Sequence, residues 1–215
     1  MTRPESKRRQ PRRLVLLDEQ DKEAMRFFVM WLKAPTRIGA VVPSSRHLAR
    51  AMAREVRGVG PGIIVELGAG TGSVTRALLE AGIPKERLVV VERDPELHRL
   101  LQERFPELTI LKGDARELRR LLAPQGVREA AAVVSSLPLI SMPKLTRTRI
   151  LAECFALLGE GRPLIQFTYG LVSPIDRERL GLTGRVAARV WKNLPPASVW
   201  RYERRRAATR EKRVA

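Results

Sequence analysis

One short stretch limits the fold of this chain more than any other: Val65-Glu66-Leu67-Gly68-Ala69-Gly70-Thr71-Gly72. It follows an apolar run and precedes a helical pattern. Glycines spaced in this way let the backbone turn sharply and approach a ligand that any side chain would block. The same strand–turn–helix unit recurs downstream. Apolar runs at 63–66, 88–92, 109–112, 131–135 and 164–168 alternate with helical stretches near 73–81, 95–104, 115–123 and 144–158. Alternation of this kind, with strands apolar throughout, specifies a parallel sheet covered on both faces. Two more strand candidates, 186–191 and 198–202, are joined by Asn193-Leu194-Pro195-Pro196 and suit an antiparallel edge hairpin. The expected fold is α/β: a mostly parallel seven-stranded sheet with a C-terminal antiparallel hairpin, plus N-terminal helices.

The chain divides on composition into four parts: a disordered basic tail over 1–13, helices over 14–57, the α/β domain over 58–205, and a second basic tail over 206–215. Within 14–34 the apolar positions Ala24, Phe27, Phe28, Trp31 and Leu32 follow helical spacing, and Pro35 ends the helix. Ser44 or Ser45 is placed to cap a helix over 46–57. A chain of 215 residues can bury a full core without staples. Its one cysteine, Cys154, excludes an internal disulfide and reads as a small core residue. No signal-peptide layout opens the chain, and no apolar run reaches the roughly 18 residues a membrane span needs.

Charge is unevenly placed. The net charge is +18; residues 1–13 carry six basic groups and one acidic, and residues 201–215 carry seven and two. Such segments attract a polyanion, either nucleic acid or an anionic membrane surface, or are simply solvated.

The glycine loop itself narrows the ligand. A dinucleotide fingerprint needs G-x-G-x-x-G, but here Gly72 falls one place early and Ser73 follows. A P-loop is excluded because no Gly-Lys-Ser/Thr follows. An acidic residue, Glu66, instead precedes the loop. Glu92 ends the second strand, twenty residues after Gly72, where a carboxylate can take both ribose hydroxyls. Gly113-Asp114-Ala115 follows the third strand. There Asp114 can accept from an adenine amino group, and Ala115 can offer its amide; Asp114 can equally be a plain helix cap. Carboxylates where a dinucleotide site needs anion-binding amides suit S-adenosylmethionine, which carries an ammonium and a sulfonium but no phosphate. The expected cofactor set is Glu66, Gly68, Ala69, Gly70, Gly72, Glu92, Arg93, Asp114, Ala115 and Ser135. The two histidines and one cysteine are far apart, so no metal site is expected.

The segments Glu66–Gly72, Glu92 and Gly113-Asp114-Ala115 resemble the first three motifs of the Rossmann-like class I methyltransferases. Further segments resemble the bacterial phospholipid N-methyltransferases: Trp31-Leu32 through Gly39-Ala40-Val41-Val42-Pro43-Ser44-Ser45, Ser135-Ser136-Leu137-Pro138-Leu139, Gln166-Phe167-Thr168-Tyr169-Gly170 with Ser173-Pro174, and Trp191-Lys192-Asn193-Leu194-Pro195-Pro196-Ala197. The resemblance covers about 27–203. It implies methylation of the phosphatidylethanolamine amino group towards phosphatidylcholine by an enzyme peripheral to the inner face of the bacterial cytoplasmic membrane. It also implies an N-terminal amphipathic helix that reaches lipid. The face bearing Phe27, Phe28, Trp31 and Leu32, with Lys33 and Arg37 beside it, suits that role; the same face would also suit packing on the sheet.

For the chemistry, Tyr169, just past the fifth strand, is expected to orient the amine. Ser136 and the Leu137 carbonyl are expected to accept from it, and His47 is a candidate base or phosphate donor. The rival reading is rRNA adenine N6-dimethylation. Enzymes of that kind hold the base with an Asn or Asp and stack it on an aromatic ring. Here Ser136-Leu137-Pro138-Leu139 supplies neither, which weighs against nucleic acid. A third reading is a cofactor-binding membrane protein without activity.

Overall fold

The computed structural model describes residues 46–169, 172–193 and 196–205. The expected helix at 14–34, both basic tails and the residues Phe27, Phe28, Trp31, Leu32, Lys33 and Arg37 lie outside them.

The described chain runs α1 (Arg46–Arg54), β1 (Ile63–Leu67), α2 (Ser73–Glu80), β2 (Leu88–Glu92), α3 (Pro95–Arg104), β3 (Thr109–Lys112), α4 (Leu118–Leu122), β4 (Ala130–Ser135), α5 (Lys144–Leu157), β5 (Leu164–Tyr169), β6 (Leu182–Val190) and β7 (Ala197–Arg204). One seven-stranded sheet has the order β3-β2-β1-β4-β5-β7-β6. The first five strands are parallel, and β7 runs antiparallel to both β5 and β6. The carboxyl ends of β1, β2, β3, β4 and β5 therefore share one rim. So does the end of β6, because Val190 and Tyr169 both pair with Ala197.

Burial follows from these sequences. Strands β2, β4 and β5 are buried at every position, as expected for strands with helices on both sides. One core layer joins α1, α2 and α3 to the sheet through Leu48, Met52, Leu78, Leu101, Ile64 and Val134. The other puts α4 and α5 on the opposite face through Leu118, Leu122, Ile150, Leu151 and Phe155. Cys154 lies in this second layer, 1% exposed, and burial raises its thiol pKa to about 12. Helix α1 belongs to the same core as β1, so a boundary at 58 does not separate two bodies.

Local chemistry sets the ends. Gly72 precedes α2 with φ 83°. The Asp94 carboxylate caps α3 by accepting from the amides of Glu96 and Leu97, with Pro95 in the first turn. The helix expected at 115–123 is instead three pieces: a 3₁₀ turn at Ala115–Glu117, α4, and a second 3₁₀ turn at Ala123–Gln125. Pro124 cannot continue an α-helix, and Gly126, at φ 70°, ends the segment. Strand β6 starts four residues earlier than its alternation predicts. A register shift between Val186 and Ala188 breaks the period of two.

Candidate active site

On the rim, the glycine loop is shaped by positive φ angles: 68° at Gly68, 59° at Gly70 and 83° at Gly72. Their surroundings differ. A Cβ on Gly68 would lie 2.6 Å from the Leu137 side chain, and one on Gly72 would lie 2.5 Å from the Phe105 ring. A Cβ on Gly70 would meet nothing within 4 Å. Two glycines thus serve packing, and Gly70 faces open space where a ligand can approach. Ala69, between them, is buried.

Glu92 organises this loop. One carboxylate oxygen accepts from the Gly70 amide at 2.9 Å. The other accepts from the amides of Arg93 at 2.8 Å and Asp94 at 3.0 Å. The Arg93 side chain itself points outward, 78% exposed. Asp114 caps the turn at Ala115, accepting from the Arg116 amide at 2.8 Å, and pairs with the Arg116 guanidinium. Burial opposes its ionisation, but the bonds from Arg116 and the nearby Arg93 charge hold it below the ordinary range. Its carboxylate is thus already engaged as a cap, and Ala115 is buried beneath it.

Glu66 is different. Its side chain is fully buried, and neither oxygen has a well-formed hydrogen bond; the Thr75 hydroxyl and amide lie close to it but only in loose geometry. Burial pushes its pKa up to about 8; Thr75 pulls the other way and the Glu92 charge adds to the rise. An orphaned buried carboxyl group is costly. A cationic ligand group in reach would supply the missing partner. The residues present therefore fit S-adenosylmethionine: a cation-seeking Glu66, an open face at Gly70, and acidic groups after β1, β2 and β3.

The other half of the rim is built from β4, β5 and the β6–β7 hairpin. An apolar recess there is lined by Leu137, Pro138, Leu139, Phe167, Tyr169 and Pro174, among others. Ser135 is buried, and its hydroxyl accepts weakly from the Leu137 amide at 3.4 Å. The Ser136 hydroxyl is buried without a partner. Tyr169 closes β5 at 7% exposure. Burial raises its hydroxyl pKa to about 12, opposed by a hydrogen bond with the Asn193 side chain. It is neutral at any physiological pH and so is no ready proton acceptor. The Leu137 carbonyl already accepts twice, from the Gln166 side-chain amide at 2.9 Å and from the Leu139 backbone amide at 2.8 Å, so it has no free lone pair for an amine, contrary to the sequence expectation. His47 stands exposed in the first turn of α1, outside the recess lining.

Three residues here escape a pattern-based reading. Gln166, buried in β5, pins the loop after β4. Asn193, 3% exposed, meets Tyr169 and yet reads as a turn residue. Tyr202 on β7 bonds Ser173 at 2.8 Å and so holds the loop after β5. A polar residue inside the apolar run Leu164–Tyr169 was the available signal for Gln166. The segment Ser136-Leu137-Pro138-Leu139 brings no aromatic ring, but Phe167 and Tyr169 of β5 line the recess. They pack edge to face at 5.4 Å and are buried among core residues, so neither presents an open stacking face.

The sheet order, the glycine loop and the acidic strand ends are those expected of a class I S-adenosylmethionine-dependent methyltransferase domain. Residues 64–161 match the family model of a methyltransferase domain. Among curated relatives, the ornithine lipid N-methyltransferase of Singulisphaera acidiphila is 38% identical over 126 residues, 57% of this chain and 66% of that protein. The ribosomal RNA small subunit methyltransferase A of Phenylobacterium zucineum is 36% identical over 124 residues, 54% of this chain and 40% of that protein. The chain thus spans just under two thirds of the first relative and less than half of the second. Among solved structures, the glycopeptide N-methyltransferase MtfA in complex with S-adenosylmethionine aligns at TM-score 0.58 and 15% identity, over 80% of this chain and 100% of that one. A TehB-like methyltransferase from Corynebacterium glutamicum aligns at TM-score 0.54 and 16% identity, over 86% and 99%. These two show the fold. Among the described residues no group of His, Cys, Asp or Glu is placed to hold a metal ion, and no helix is long and apolar enough to cross a membrane.

Proposed function

We propose that this protein transfers methyl groups to the primary amine of a membrane lipid headgroup, with phosphatidylethanolamine as substrate and phosphatidylcholine as end product, at the inner face of a bacterial cytoplasmic membrane. The observation that carries this reading is the apolar recess between the loop after β4 and the end of β5. Its lining is mostly apolar, with Thr168 and Tyr169 its polar side chains. The likeness to an ornithine lipid N-methyltransferase supports the same substrate class. The likeness to rRNA enzymes covers a smaller share of their length, and Ser136-Leu137-Pro138-Leu139 lacks the amide and the open ring that base methylation uses.

S-adenosylmethionine supplies a methyl group activated by a sulfonium leaving group. Glu66 and the glycine loop would hold the amino-acid end, with Glu66 ionised and its proton released to solvent, and Glu92 would serve the ribose. The amine must lose a proton before it attacks. At a lysine-like pKa, about one molecule in a thousand is neutral at pH 7. The apolar walls favour that neutral form by desolvation. The Tyr169 and Ser136 hydroxyls then orient the nitrogen, so positioning supplies much of the catalysis.

The test uses methyl-labelled cofactor with three acceptors: vesicles containing phosphatidylethanolamine, vesicles containing ornithine lipid, and ribosomal RNA. Label in the extracted phosphatidylethanolamine is the expected result. Label in ornithine lipid alone would move the substrate within the lipid class, and label in RNA alone would overturn the reading.

A further inference from the structure

A lipid amine sits in the headgroup layer, and methyl transfer needs the reacting atoms about 3–3.5 Å apart. The catalytic rim must therefore touch the bilayer itself. Three large hydrophobic side chains among the described residues are exposed: Leu145 at 83%, Trp191 at 66% and Leu180 at 38%. Single exposed hydrophobics are ordinary; the placement of the first two is not. Leu145 is in the first turn of α5, directly after the loop that leaves the carboxyl end of β4. Trp191 directly follows Val190, the last residue of β6, at the same rim. In sheet order the recess at β4 and β5 lies between them.

Both are flanked by cations. Lys144 precedes Leu145 and Arg147 follows two places on; Arg189 and Lys192 bracket Trp191. None of these four side chains makes an ion pair among the described residues. The segments 136–147 and 182–193 contain no Asp or Glu at all. Elsewhere arginines are commonly neutralised, as Arg119 is by Glu153 and Arg201 by Glu203.

We infer that Leu145 and Trp191 insert into the headgroup–acyl boundary of an anionic bilayer, while Lys144, Arg147, Arg189 and Lys192 contact lipid phosphates, so that the recess opens at headgroup depth. Tryptophan and basic residues are the side chains that settle at this boundary. The inference rests on the lipid reading above and names the surface through which that site meets its substrate.

The experiment uses the full chain bound to S-adenosylhomocysteine, with Trp31 and Trp200 changed to Phe so that Trp191 alone reports. Vesicles of phosphatidylethanolamine and phosphatidylglycerol, some carrying brominated acyl chains, are added. Quenching of Trp191 by the shallow bromine positions is expected. In the otherwise wild-type chain, Leu145→Ala/Trp191→Ala should lower vesicle partitioning about tenfold. Methylation of a short-chain phosphatidylethanolamine, monomeric in solution, should stay within twofold in that variant. Vesicle binding without quenching of Trp191, or undiminished partitioning of the double variant, would overturn the proposal. So would an equal loss on the soluble substrate, which would mark the two residues as part of the site's fold, or a Trp191 response to RNA but not to vesicles. Quenching without methylation of any lipid would uphold the surface and sink the substrate reading instead.

Discussion

The two halves of the rim solve different problems by different means. The half above β1, β2 and β3 is polar and set by backbone: glycines at positive φ, and a Glu92 carboxylate holding three amides. The half above β4, β5 and β6 is apolar and set by side chains that reach between segments, as Gln166 does to Leu137 and Tyr202 to Ser173. The first binds a ligand common to many methyltransferases; the second must suit one acceptor. A backbone device tolerates drift everywhere except at its glycines and acids. A side-chain device can be retuned one residue at a time.

The sharpest way to break that contrast is at the glycines. Gly72→Ala should destabilise the fold by about 3 kcal/mol, since it adds a clash with Phe105 to the strain of a left-handed backbone. Gly70→Ala carries the strain alone and should cost about 1 kcal/mol, but it should weaken cofactor binding by filling the open face. Thermal unfolding with and without S-adenosylhomocysteine separates the two. Equal melting temperatures for both variants would mean that Gly72 is not a packing residue.

Next in size is the division of labour between carboxylate and phenol. Glu92→Ala should weaken S-adenosylhomocysteine binding about 100-fold, because three amides lose a charged acceptor. Tyr169→Phe should leave that affinity within twofold and slow methyl transfer. Calorimetric titration of both variants checks this, and comparable losses of affinity would remove the distinction between the halves.

Glu66 adds a pH signature to the first half. Its carboxyl pKa is about 8 in the ligand-free fold, against 4.5 ordinarily. The folded state thus holds a proton that the unfolded state releases, and stability falls as pH rises from about 4.5 to 8. Glu66→Gln removes the titration, so it should be about 4 kcal/mol more stable than wild type at pH 8 and nearly equal at pH 4. Denaturant unfolding across that range reads the difference. The same variant should bind cofactor poorly. In the wild type, binding at pH 7 should release a proton, seen as a binding enthalpy that varies with the buffer. Parallel pH profiles for the two proteins would show that Glu66 is not the titrating group.

The same contrast explains what the amino-acid sequence discloses. Strand ends in an open parallel sheet gather on one rim, so an acid or glycine just after each apolar run can be placed before any coordinates exist. Glu66, Glu92 and the loop from Gly68 to Gly72 were legible for that reason. Asp114 was legible in position, with the cap as one of its two readings; its pairing with Arg116, two residues on, was not. The register shift in β6 hid the start of that strand, since it breaks the alternation on which strand detection depends. Asn193 looked like turn chemistry because its role depends on the pairing that brings Val190 and Tyr169 level. Leu145 and Trp191 follow no periodic pattern, and only the topology sets them on one rim.

Gln166 gives the smallest expected effect and the finest test of the second half. Its amide donates to the Leu137 and Phe167 carbonyls, at 2.9 and 2.7 Å, while its own oxygen has no partner. A leucine of similar size would keep the strand buried and remove only the tie to the loop after β4. The Leu137 carbonyl would keep its bond from the Leu139 amide but the loop would lose its tie to β5, and misplacement of that wall of the recess costs rate rather than binding. Gln166→Leu should lower kcat about tenfold, leave S-adenosylhomocysteine affinity within twofold, and leave the fold near wild-type stability, because the orphaned oxygen disappears with the lost bonds. A change in affinity instead of kcat would place Gln166 in the cofactor half, and the two halves would then be one network rather than two.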